Sequence, residues 1–557
     1  MLQVTQFTPE SISYLVLGGF VVFFSLVSLA LKERVYFGEV VLGTAFGIIV
    51  GPHCAGILDP RSWSSSWTTG NRITLEIMRV VLAIGLFSVG VELPKGYLAK
   101  HARSLIVMVV PTMAFGWFVV AGVIKGLFPA LNFVSSLVIA ACLTPTDPVL
   151  AVAIIGGRFA RKHIPVHLSH LLSAESASND GLAYPFLSIS IYLATESSTR
   201  VAFGKFFLVG CLYQVILGTV LGVVLGIIFS RLMRYAYRKG LADKESLVVQ
   251  YLALAMLTIG IANSIGSDDL LAAFAAGSAI AWDGDFNAQT GDQVFSSVID
   301  LVLNCICFVY IGAWIPFESF NDTVLGIRPW RLIVLLTAIL TLRRIPSILL
   351  LYKFVPDIRN WREALFCGHF GPMGVGAVFI SALAISELPV PSNPPATQNE
   401  LLATALHPII SFVVLGSIII HGLSISVFYL GKNTIPRTLC LATRTWASHE
   451  GRDPGRLFSG DGAPVRDDCA SFSQTATDIE RLGTPGTGLE LRTPDAVHSI
   501  GLQTLSRATG ANMLVKKEDA PVGIHAEEIP EDKRRDSKLD SVRVPTGAAT
   551  PVGHDVK

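Results

Sequence analysis

The sequence predicts an all-α polytopic membrane protein of about 13 transmembrane helices followed by a polar C-terminal tail. Three observations predict it. Of 557 residues, 51% are hydrophobic and only 15% charged, whereas a soluble domain carries roughly 25% charged residues; mean hydropathy is +0.56. Apolar runs, most of them near the length of about 20 residues that crosses a hydrocarbon core as a helix, recur 13 times before residue 431. Charge is also uneven: residues 1–430 hold 26 Lys+Arg and 24 Asp+Glu, and the last 127 hold 17 and 18. A net charge of +1 offers no concentrated basic face and excludes nucleic acid as a partner.

The spans fall at 13–31, 38–57, 73–92, 105–124, 134–155, 168–193, 206–229, 247–265, 270–282, 298–316, 332–352, 364–385 and 405–430. The first is preceded by no Lys or Arg and followed by Lys32 and Arg34, the reverse of a cleavable signal peptide, so it is expected to remain as a helix. The ninth is the shortest. An odd number of spans puts the termini on opposite sides. With the loop after span 1 taken as cytoplasmic, inside loops hold 16 Lys/Arg and outside segments 7, which places the N-terminus outside and the tail in the cytoplasm. The inside loop at 283–293 departs from this pattern, having no basic residue.

The tail, 431–557, is rich in Gly, Pro, Ser, Thr and mixed charge, without an apolar periodicity that would bury a core, and reads as mostly disordered. Its first part, 435–446, has several apolar side chains with Arg437 and Arg444, the pattern of an interfacial segment. Cys440 there reads as an ordinary thiol in preference to a palmitoylation site. The eight cysteines are scattered without metal spacing, so free thiols, no zinc and no cofactor are expected. Two spans carry glycine stripes, Gly43, Gly47, Gly51 and Gly218, Gly222, Gly226. Small residues on one stripe let helices approach closely, either inside the chain or across a homodimer seam.

Ionisable groups inside membrane spans are costly and usually functional. Span 5 contains Thr144-Pro145-Thr146-Asp147-Pro148. Pro145 cannot bond the carbonyl of Ala141, nor Pro148 that of Thr144, so the helix must open around Asp147. The alternative, a simple proline kink, would not require a buried aspartate. An opened helix at mid-membrane survives only where protein or a watered cavity satisfies it. Freed carbonyls with a carboxylate form an oxygen-rich setting suited to Na+. Span 6 contains Glu175, Asn179 and Asp180. Glu175 and Asn179 share a face, and Asp180 lies about 100° further round. A carboxylate withdrawn from water can hold a proton or a cation but not both, which is exchange in chemical form. Permanent neutralisation by an ion pair fits Glu175 better than Asp180.

Span 11 supplies the cations, Arg343 and Arg344. A buried arginine stays charged and needs a carboxylate, and Glu175 with Arg344 is the first pairing, Arg343 the second. Either arginine could instead snorkel to the interface. Span 12 reads Gly368-His369-Phe370-Gly371-Pro372-Met373-Gly374-Val375-Gly376, a second interrupted span. Two broken spans in corresponding halves point to a transporter site at the midplane, with spans 4–6 and 11–13 as inverted repeats. His369 reads as a neutral, hydrogen-bonded histidine before a titrating one. Asp268 and Asp269 read as a solvated loop pair, with an acidic vestibule as the alternative. Glu76 and Arg79, three apart, pair most simply with each other.

The residues 144–148, together with Glu175, Asn179, Asp180 and Gly181, resemble the cation/proton antiporter superfamily. The runs Ala183-Tyr184-Pro185-Phe186-Leu187-Ser188 and Arg343-Arg344-Ile345-Pro346 are similar to the fungal plasma-membrane Na+/H+ antiporters. The likeness covers residues 10 to about 446. It implies a dimerisation domain of spans 1–3 and 8–10 and a core domain of spans 4–6 and 11–13, joined by span 7. It implies a homodimer in the lipid bilayer of the plasma membrane that works by an elevator-like movement. The exported ions would be Na+ and Li+, with K+ a further candidate, in exchange for H+, serving salt tolerance and pH homeostasis. Position by position, Asp180 matches the carboxylate shared by cation and proton, and Asn179 its neighbour. Asp147 and Thr146 match the opened-helix residues, so that Na+ would sit at Asp180 and Asp147. Glu175 and Arg344 match a structural ion pair, and Asp268 and Asp269 an acidic pair of the fungal members.

A cation channel is the nearer competing reading, since broken helices and acidic groups suit both, although channels usually build filters from symmetric copies. An intramembrane aspartyl protease is remote, because its Tyr-Asp and Gly-x-Gly-Asp motifs do not occur in the spans.

Overall fold

The computed structural model describes residues 8–31, 38–155, 164–283 and 294–434. The tail beyond Thr434, the 435–446 segment with Cys440, and most of the 283–293 loop lie outside the described residues. Within them the chain is helical, with no strand. The helices are α1 (Pro9–Ala30), α2 (Glu39–Val50), α3 (Trp67–Glu92), α4 (Ala102–Leu127), α5 (Phe133–Leu143), α6 (Pro148–Ile155), α7 (Val166–Gly181) and α8 (Ala183–Thr195). There follow α9 (Thr199–Arg238), α10 (Lys244–Ile265), α11 (Asp269–Ile280), α12 (Val294–Trp314), α13 (Pro329–Leu342), α14 (Ile345–Leu351), α15 (Trp361–His369), α16 (Val375–Ser386) and α17 (Gln398–Thr434). Each expected span coincides with one helix or one interrupted pair. Six of the helical stretches are long and apolar enough to cross a membrane by themselves, and six others are apolar but only 10–17 residues long.

The interruptions follow from backbone chemistry. Span 5 stops at Leu143 and resumes at Pro148, as two prolines require. Span 12 stops at His369 and resumes at Val375 across Gly371, Pro372 and Gly374. Span 11, expected to be continuous, is also interrupted, between α13 and α14. Pro346 cannot bond the carbonyl of Leu342, four residues earlier, so Arg343 and Arg344 fall in the gap. Span 7 runs longer than expected and passes through a π-helical stretch, Phe206–Ile216.

The glycine stripes are used inside the chain. α2 packs on α12 and the second half of α9 on α11. A Cβ added to Gly43 would meet Phe308 at 3.3 Å, and one at Gly51 would meet Ala313 at 3.1 Å. At Gly218 it would fall 2.8 Å from the Asp268 carbonyl oxygen, and at Gly47 and Gly222 it would overlap the carbonyls of Val309 and Ala272. The backbones therefore touch. α1, by contrast, exposes Tyr14, Leu15, Val22, Phe23 and Leu26, an apolar face turned away from the protein.

Gly222→Val should therefore lower the thermal unfolding temperature in detergent by a stability loss of about 1–3 kcal/mol, the usual cost of overpacking. Gly204→Ala, where nothing lies within 4 Å of the added carbon, should leave that temperature near wild type.

Candidate functional site

The interruptions of spans 5 and 12 meet. The Asp147 N–H donates to the Pro372 carbonyl at 2.8 Å, linking one opened stretch to the other. The Asp147 side chain is buried, 1% exposed. Its Oδ1 accepts the Leu150 N–H at 3.0 Å, and its Oδ2 accepts the N–H groups of Val375 and, at 3.4 Å, Gly376. One carboxylate thus faces the positive N-terminal ends of both α6 and α16, where negative charge is stabilising.

The opposite ends belong to Arg343. Its Nη1 donates to the carbonyls of Leu143 (2.6 Å), Thr144 (3.3 Å) and Pro145 (3.1 Å), and its Nη2 to the Gly371 carbonyl. The guanidinium occupies the negative C-terminal end of α5 and the start of the second opened stretch. Of the two carbonyls freed by the prolines and expected to help bind Na+, that of Thr144 is therefore turned toward a cation of the protein itself, while that of Ala141 accepts the Thr144 N–H at 3.4 Å. Arg343 is 3% exposed and does not snorkel to an interface.

α7 supplies the remaining groups. Asn179 Nδ2 donates to Glu175 Oε1 at 2.7 Å and to Thr146 Oγ1 at 2.8 Å, while its Oδ1 accepts the Thr146 N–H at 2.9 Å. Thr146 Oγ1 also lies 3.0 Å from Ser176 Oγ, to which it donates. Glu175 meets Arg344 through two contacts, 2.6 and 3.1 Å, and Arg344 also donates to the Cys367 carbonyl at 3.2 Å. Between the two arginines, Arg344 is the one placed on Glu175. Asp180 is 3% exposed, and neither of its carboxylate oxygens has a hydrogen-bond partner among the described residues. It lies beside the first turn of α16, where a Cβ added to Gly376 would come within 2.6 and 2.7 Å of its two oxygens. Glycine there is what allows the approach.

The other expected residues are placed differently from a solvated loop. Asp268 caps α11, accepting the Leu271 N–H at 2.9 Å, and is buried. Asp269 is also buried and lies 3.1 Å from Arg79 Nε, while Arg79 Nη1 lies 3.2 Å from Glu76. Arg79 thus has two carboxylate neighbours, because α11 begins at Asp269 and packs directly on α3. His369 is half-buried at the end of α15, its ring 5.5 Å from that of His421. Ser176, Ser417 and His421 are further polar groups at the crossing that no motif in the sequence marks. A histidine and a serine one turn apart in the apolar span 13 were the available signal.

An all-helical, multi-pass membrane architecture with two interrupted helices joined around buried carboxylates is the setting in which the comparisons fall. The profile of the transmembrane sodium/hydrogen exchanger family matches residues 21–430. A probable Na+/H+ antiporter of Schizosaccharomyces pombe is 41% identical over 95% of this chain and 70% of its own length. A Na+/H+ antiporter of Saccharomyces cerevisiae is 42% identical over 80% of this chain and 46% of its own. In three dimensions the fold is similar to that of a sodium proton antiporter from Methanocaldococcus jannaschii, with a TM-score of 0.57 at 17% identity over 74% of this chain and 100% of that one. The chain belongs to the sodium/hydrogen exchanger family.

Removing one partner of a buried ion pair strands the other charge, at a cost of about 3–5 kcal/mol. Glu175→Gln and Arg344→Gln should each lower the unfolding temperature, and the double variant should lose less than the two losses added. Strict additivity in that double-mutant cycle would count against an energetic coupling of the pair.

Proposed function

We propose that this protein is a secondary antiporter that exchanges Na+ for H+ across the membrane. The observation that carries the reading is the distribution of charge at the crossing. Asp147 faces two helix N-termini, Arg343 faces helix C-terminal carbonyls, and Glu175 is held by Arg344. Asp180 alone among these charges has no protein partner. A carboxylate without a partner in a buried site needs a proton or a cation, and each displaces the other.

In this reading Asp180 carries the exchanged ion, with Asp147 beside it across the first turn of α16, so that Na+ sits at Asp180 and Asp147. Thr146 and Asn179 are the polar groups that hold the opened helix against α7. Li+ and K+ are further cargo, since both are hard cations suited to the same oxygens. α1–α3 with α10–α12 form the dimerisation domain of a homodimer, α4–α8 with α13–α17 the core, and α9 the link between them. The core moves as an elevator. The excess of Lys/Arg in alternate loops supports a cytoplasmic tail and an outside N-terminus. The names of the fungal relatives support Na+ and H+ as cargo, and the likeness to them favours the plasma membrane as the site of action, with salt tolerance and pH homeostasis as its purpose.

Asp180→Asn should abolish Na+-dependent proton flux driven by an imposed pH gradient in proteoliposomes, while yield and elution profile stay as in wild type. The amide can release no proton and offers no charge. Flux above that of protein-free liposomes would remove Asp180 from the role, and conductance without exchange in wild type would favour a channel.

Competition has a second consequence. As pH falls through the range where Asp180 takes up a proton, the empty carboxylate becomes scarcer and the apparent Km for Na+ rises. With one competing proton the rise is roughly tenfold per pH unit on the acidic limb, since one unit corresponds to about 1.4 kcal/mol. Maximal rate should change less. A Km flat across the pH series, with the maximal rate falling, would place control on another group.

A further inference from the structure

Two side chains of α17 touch the second interrupted span at both edges of its gap. Ser417 and His421 lie one turn apart on one face and are buried, 0% and 1% exposed. Ser417 Oγ accepts the Met373 N–H at 2.7 Å. His421 Nε2 lies 3.2 Å from the carbonyl oxygen of His369, the last residue of α15. The other ring nitrogen, Nδ1, lies 3.2 Å from Ser417 Oγ and 3.0 Å from the Ser417 carbonyl.

Hydrogen-bond chemistry gives this arrangement a direction. Each ring nitrogen faces a carbonyl, which only accepts, and the tautomer with its hydrogen on Nε2 is the one that donates to His369 and bridges the gap. In a neutral imidazole Nδ1 is then the acceptor. The donor beside it is the Ser417 hydroxyl, whose oxygen already receives the Met373 N–H. The chain runs from the Met373 amide through Ser417 and His421 to the His369 carbonyl and spans the gap between α15 and α16. A charged imidazolium donates from both nitrogens and keeps the Nε2 contact to His369 as well. The segment held this way leads directly into Gly374, Val375 and Gly376. Those residues give Asp147 two of its N–H donors and set the approach to Asp180.

We propose that Ser417 and His421 are positioning residues for cation exchange: by bridging the gap they fix where residues 373–376 meet Asp147 and Asp180. The proposal rests on the exchange reading above, and its test includes a measurement independent of transport. The full chain is reconstituted as wild type, Ser417→Ala, His421→Leu, His421→Gln and the Ser417→Ala/His421→Leu double variant. Apparent Km and maximal rate for Na+-driven proton flux are measured alongside amide hydrogen exchange of a peptide covering 370–376. Ser417→Ala and His421→Leu should raise the Km roughly three- to tenfold, as the loss of one neutral hydrogen bond implies, with a smaller effect on maximal rate. The double variant should be no worse than the weaker single, because both break one chain. His421→Gln, whose amide can replace the Nε2 donor, should restore a Km near wild type. Amide exchange across 370–376 should quicken in the Ala and Leu variants and not in the Gln variant. Should His421→Leu fail to fold, Ser417→Ala, which removes a single oxygen, carries the same test. Unchanged amide exchange in the variants would show that no clamp exists, and faster exchange with an unchanged Km would show a clamp that positions nothing. Absence of Na+-driven flux in wild type would instead overturn the exchange reading and the positioning role with it, while amide exchange would still decide on the clamp.

Discussion

A helix opened inside an apolar body leaves peptide dipoles that no water can satisfy, and the rest of this site follows from how those dipoles are met. Each unsatisfied backbone group in such surroundings costs several kcal/mol. Asp147 meets the N–H ends of α6 and α16 together, and Arg343 meets the carbonyl end of α5 and that of Gly371. Neither side chain could do this for one interrupted helix without the other beside it. The two interruptions therefore have to coincide, and the Asp147 N–H bond to Pro372 is where they do. Gly374 and Gly376 follow as well, since any side chain there would displace Asp147 or Asp180.

The same requirement explains why four charges in one buried region need not destabilise it. A charge facing a helix terminus gains up to about 2 kcal/mol in a partly buried geometry, and a bidentate arginine–carboxylate pair is among the stronger charge-assisted contacts. Glu175 and Arg344 satisfy each other, and the spare oxygen and nitrogen capacity of the pair goes to Asn179 and the Cys367 carbonyl. Asn179 in turn holds Thr146 on the opened strand. The amide is thus a joint between the ion pair and the break, which a carboxylate at that position could not be without a further proton.

How much of this was legible in the sequence depended on the separation of the partners. Pro145 and Pro148 announce the first interruption because a proline acts on a carbonyl four residues away. Pro346 carries the same message for span 11, where the two arginines before it fall in the gap that the proline opens. Glu175 and Arg344 could be paired by chemistry alone, since a buried arginine requires a carboxylate. The partners of Arg343 could not, because they are backbone carbonyls, three of them 198–200 positions earlier and one 28 later, and carry no side-chain signal. Asp268 and Asp269 fall between two apolar runs, a position that in the sequence suggests a solvated loop. α11 starts at Asp269 itself, so both aspartates are drawn against α3 and into burial. The glycine stripes showed that two helices come close to something, and only the fold identifies α12 and α11.

Taken as a mechanical unit, the crossing is more closely tied than its broken helices suggest. Thr146 is bonded to α7, Asp147 to α16, Arg343 to α5, Arg344 to α7, and Met373 to α17. A group of helices connected this way can be displaced as one body without separating a charge from its partner. Sliding one of these helices past another would break buried, charge-assisted contacts instead, each far more expensive than a contact in water. For the exchange proposed above, rearrangement within the crossing is thus disfavoured, whereas movement of the whole unit leaves the contacts inside it intact. Asp180 stands apart from this network, since its oxygens have no hydrogen-bond partner among the described residues.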